Sequence, residues 1–103
     1  MSTTAEADID QRRRNVRCLE LLDASYRAYS RGLQRAYLRL ADQASAAAPD
    51  TYKAVIGGIL VGEVPSPETD PRGWFDYVQA QRDGLDLAVE LEGRGDREEE
   101  SRW

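Results

Sequence analysis

The sequence predicts an all-α protein: a long N-terminal helix, a short buried helix and a C-terminal amphipathic helix packed back as a helical hairpin or small bundle. Three observations carry this. Apolar residues at positions 19, 22, 26, 29, 33, 36 or 37, 40, 44 and 47 step by threes and fours, the spacing of one helical face. A second pattern of that kind begins behind Asp70-Pro71, an aspartate in N-cap position followed by a proline at the first helical position. Between them, the one run with strand-like composition has no partner strand in the chain, and a lone strand is unstable.

The first helix is expected over residues 9–47. At about 100° per residue its apolar positions share an arc of about 100°, the width of a helix–helix seam. That seam holds Leu19, Leu22, Tyr26, Tyr29, Leu33, Tyr37 and Leu40, with Cys18 at its edge. The opposite face carries Arg13, Arg17, Arg27, Arg31, Arg35 and Arg39. Gly32 lies in mid-helix, where glycine costs about 1 kcal/mol against alanine and favours a kink. Pro49 biases the residue before it away from helix and so ends the element.

Asp50 and Thr51 are N-cap candidates for a short helix over 52–61. That segment is apolar apart from Lys53, and its Gly57-Gly58 pair would let a neighbouring backbone come close. Three prolines (65, 67 and 71) make 62–71 a loop. The last helix is expected over 71–92. Its polar arc holds Asp76, Gln79, Arg82, Asp83, Asp86 and Glu90. An apolar arc of about 200°, including Trp74, Tyr77, Val78, Ala80, Gly84, Leu85, Leu87 and Leu91, is wide enough for two neighbours. The domain is therefore expected to span 9–92, between a disordered N-terminus at 1–8 and a disordered acidic tail at 93–103.

A length argument favours self-association. A straight helix of 9–47 would be about 60 Å long at 1.5 Å per residue, while the last helix covers about 33 Å of it. One fold-back leaves part of the seam bare, and a bare apolar stripe is a partner site or an aggregation hazard. The expected partner is a second copy, with Leu19, Leu22, Tyr26, Tyr29, Leu33, Tyr37, Leu40 and Trp74 as core and interface. The competing geometry is a kink at Gly32 that folds the helix on itself into a closed monomeric bundle.

Composition excludes several function classes. The chain has no histidine and one cysteine, which removes the commonest general base, the usual triads and the usual zinc sites. No catalytic, cofactor or metal residue is expected, and neither is a cofactor. Asp83, Asp86 and Glu90 share a face, but such carboxylates are ordinarily a solvated surface. The run 57–62 lacks the lysine of a phosphate loop. The N-terminus has no apolar signal stretch and no run approaches a membrane span, so the expected location is cytoplasmic. Arg94-Gly95-Asp96 is a chance match to an adhesion tripeptide, and Trp103 is a candidate docking anchor.

Charge is distributed unevenly. Residues 1–53 hold nine basic and seven acidic side chains, and residues 54–103 hold five and twelve, for an overall net charge of −5. The whole chain therefore has no pull toward nucleic acid or anionic lipid. Arg27, Arg31, Arg35 and Arg39 recur every four residues and admit three readings: a solvated face with i,i+4 pairs such as Asp23–Arg27, a dock for an acidic surface, or a phosphate-tracking face. The acidic surface could be the Asp76, Asp83, Asp86 and Glu90 stripe of another copy. The functional expectation is a non-catalytic, self-associating helical interaction protein, an adaptor or accessory subunit. Its alternatives are an amphipathic coat on a storage granule or lipid surface, and a nucleic-acid-associated regulator using the arginine face.

Overall fold

The computed structural model describes residues 4–101, with side chains described from 7 to 92. It is all-helical among those residues: α1 (Thr4–Ser30), α2 (Gln34–Ala47), α3 (Pro49–Leu60) and α4 (Pro71–Ser101). α2, α3 and α4 all pack on α1, and α3 also touches α2. The shared core joins Leu19 and Leu22 of α1 to Ala44 of α2, Val55 of α3, and Trp74 and Val78 of α4. Cys18 is fully buried within it, and burial pushes its thiol above the ordinary cysteine range.

The expected continuous helix over 9–47 is corrected to two helices that fold against each other. The cause is local. Gly32 has φ +75°, a left-handed conformation that continues no right-handed helix. The Leu33 N–H donates to the Ala28 carbonyl at 2.9 Å and the Gly32 N–H to the Tyr29 carbonyl at 3.0 Å. These two bonds form a Schellman cap, which satisfies carbonyls the helix end would leave open. The Leu33 carbonyl then accepts the Tyr37 N–H at 2.9 Å and starts α2. The reversal lays the seam's second half on its first, as in the competing geometry of the closed bundle. It also removes the premise of the length argument, because no 60 Å helix is left to cover.

α3 begins earlier than expected. Pro49 occupies its first turn after Ala48, which is extended at φ −155°, ψ 87°. Thr51 serves a different purpose from capping: its hydroxyl donates to Asn15 Oδ1 at 2.7 Å and ties α3 to α1. The helix ends in a second Schellman cap at Gly62, φ +80°, with the Glu63 N–H on the Gly58 carbonyl at 2.8 Å. This turn brings Val64 onto Gly58 so closely that a Cβ there would overlap the valine side chain. Gly58 is thus crowded by the Val64 side chain and not by a neighbouring backbone, whereas Gly57 faces open space. The segment is less buried than expected, since Leu60 and Val61 are 80% and 70% exposed.

The start of α4 follows the sequence signal. The Asp70 Oδ1 accepts the Gly73 N–H at 3.1 Å, the N-cap bond expected of an aspartate before Pro71. Both terminal helices run past their expected bounds, α1 starting at Thr4 and α4 continuing to Ser101, whereas 1–3 and the Trp103 anchor lie outside the described residues. Replacing Gly32 with alanine should lower stability by about 1–2 kcal/mol, because an L-residue is strained at its φ. Replacing Gly57, a helical glycine with room for a methyl group, should raise it by about 0.5–1 kcal/mol. Urea unfolding midpoints of G32A and G57A check both, and shifts of the same sign would contradict the turn described here.

Candidate interaction surface

Asp23 anchors the contact between α1 and α4. One carboxylate oxygen accepts the Trp74 indole N–H at 3.0 Å, and the other pairs with Arg27 at 2.9 Å. Trp74 is nearly fully buried, and a buried indole N–H needs such an acceptor. Tyr26 meets the indole edge-on with ring centroids 6.1 Å apart, and Tyr77 stacks on it at 6.1 Å. Farther along the same interface Arg82 lies 3.6 Å from Glu20. Both of its members are over a third exposed, so this pair adds little.

Beside Asp23 a groove of about 460 Å³ opens between α1, the loop and the start of α4. Tyr26, Tyr29, Trp74, Pro67 and Pro71 give it an apolar lining, and Asp23, Glu68 and Arg27 give it charge. Burial, then the neighbouring Tyr37, Glu68 and Tyr52, hold the Tyr26 phenol above the ordinary tyrosine range. Among the described residues no cluster of histidine, cysteine and carboxylate side chains could hold a metal ion, and no helix is long and apolar enough to cross a membrane.

The predicted interface residues divide into three groups. Leu19, Leu22 and Trp74 are buried within the single chain. Tyr26 and Leu40 are half-buried against that core. Tyr29 and Leu33, at the Gly32 turn, are 52% and 53% exposed, and Tyr37 packs against Tyr29 at 5.2 Å. The arginines are divided by the same turn. Arg27 belongs to α1 and is paired with Asp23, Arg31 lies in the turn, and Arg35 and Arg39 are exposed on α2.

Two features escaped the sequence reading. Leu38 lies off the seam, and α2 turns it outward beside Arg35 and Arg39, 52% exposed. Among the described residues α4 makes backbone contact with α1 alone of the helices, although its apolar arc is wide enough for two. Its outer side carries Ala80, Gly84, Leu87 and Leu91 at steps of four, three and four, with both leucines more than half exposed. The unequal burial of an arc this wide depends on how many helices surround it, which periodicity does not encode.

No family model matches this chain, and neither a curated protein nor a solved structure matches it. The chemistry of the surface therefore rests on these residues alone.

Replacing Asp23 with alanine should lower stability by about 1–2 kcal/mol, chiefly by leaving the Trp74 indole N–H without its acceptor. Asp23→Asn keeps an acceptor and should cost distinctly less. Chemical unfolding of the two variants measures the difference, and equal losses would assign the effect to the Arg27 pair instead.

Proposed function

We propose that the protein is a non-catalytic, self-associating helical interaction protein, acting as an adaptor or accessory subunit. The observation that carries this reading is the outer side of α4. Ala80, Gly84, Leu87 and Leu91 repeat at the spacing of a helix–helix seam, yet among the described residues no helix covers them. Exposed apolar residues scattered singly need no explanation, whereas a line of them at packing register marks a contact surface. Tyr29, Leu33 and Leu38 add a second exposed apolar group near the Gly32 turn. The lack of histidine in the whole chain supports a role without acid–base chemistry at neutral pH. The partner in this reading is a second copy, most economically in a twofold dimer. The setting is cytoplasmic, where a lone thiol such as Cys18 stays reduced.

The solution mass of the purified chain tests this. Sedimentation equilibrium should give a species of about twice the 11.6 kDa chain mass, populated increasingly as concentration rises. A single species of 11.6 kDa at every concentration would overturn the reading.

A further inference from the structure

Resting on the self-association reading above, we infer that the outer face of α4 in one copy docks on the arginine-bearing Leu38 face of α2 in a second copy. The two faces carry charges that are opposite in balance, acidic on α4 and basic on α2. On α4, Asp76 and Asp83 lie seven residues apart on the side that also presents Leu87, and all three are exposed. On α2, Arg35 and Arg39 lie beside the exposed Leu38, and the exposed Asp42 shares that face, which leaves it with a net positive charge. Neither arginine has an ion-pair partner among the described residues, so both guanidiniums are available to an incoming carboxylate. Among the described residues α2 and α4 pack on α1 with no backbone contact between them, and the exposed face of each is left without a covering helix.

Gly84 supports a close neighbour on this side of α4. A glycine in mid-helix weakens the helix. A Cβ built at Gly84 would meet nothing within 4 Å among the described residues, as at Gly57, so this side of α4 has room for another helix to approach closely. Charge then selects which face of the second copy approaches. Pairing α4 with α4 would oppose like carboxylates at Asp76 and Asp83, whereas pairing α4 with α2 sets them against Arg35 and Arg39. Around a twofold axis the contact forms twice, with each copy giving both faces.

Two charge-reversed variants test the pairing: D76R/D83R on α4 and R35E/R39E on α2. All four positions are exposed, and far-UV circular dichroism of each variant checks that helicity is kept. Each variant alone should dimerise at least tenfold more weakly than the parent. An equal mixture should recover the parental dimer, because in the mixed pair both contacts again join opposite charges. Parental protein that is a dimer, with variants that dimerise equally well, would overturn this docking and leave self-association standing. Variants that lose the dimer but fail to recover it on mixing would also overturn it, since the two faces would then not meet each other. A monomeric parent would remove the self-association reading itself, and this inference with it.

Discussion

The left-handed turn at Gly32 is the constraint on which the rest of the structure depends. It lets α1 end in a Schellman cap and sends the chain back after a three-residue passage through Arg31, Gly32 and Leu33. The seam is thereby folded on itself, and Ala44 reaches the same cluster as Leu19 and Leu22. In a straight helix Leu22 and Ala44 would be about 33 Å apart. Without the reversal, α3 would start far from Asn15, and the Thr51–Asn15 bond that joins α3 to α1 would have no partner within reach.

The turn also decides which surfaces remain for other molecules. It consumes most of the seam in internal packing and leaves Tyr29 and Leu33 exposed at its tip. It divides the arginine series, so that Arg35 and Arg39 lie on α2 with Leu38, apart from Arg27 on α1. Asp23 meanwhile fixes α4 on α1 through the Trp74 indole. With α4 held by one side of its apolar arc, the other side is left outward. Packing and function are thus linked: the same contacts that close the core determine what the surface presents.

Much of this was legible from local chemistry. The Asp70 cap and Pro71 start of α4 act over three residues, and the structure has them as the sequence implied. The Asp23–Arg27 pair follows from i,i+4 spacing alone. The break at Gly32 was harder to read, because the steps of three and four continue in phase across it. Tyr29, Leu33, Tyr37 and Leu40 fit one long face as well as two shorter ones, so periodicity could not separate a straight helix from a hairpin. Thr51 had the chemistry of an N-cap, but Asn15, 36 residues earlier, claimed its hydroxyl. The acceptor role of Asp23 toward Trp74 spans 51 residues and has no local signature. Interactions of that range are set by topology, and topology here followed from a single glycine.

The most direct test of that dependence is a distance across the turn. Spin labels at the exposed positions Arg17 and Ala46, in a chain with Cys18→Ala and diluted with unlabelled protein so that only intrachain pairs report, would be measured by pulsed electron resonance. The folded-back arrangement predicts a separation of about 20 Å, set by two packed helix diameters. A separation of about 43 Å, the length of about 29 residues of unbroken helix, would contradict it.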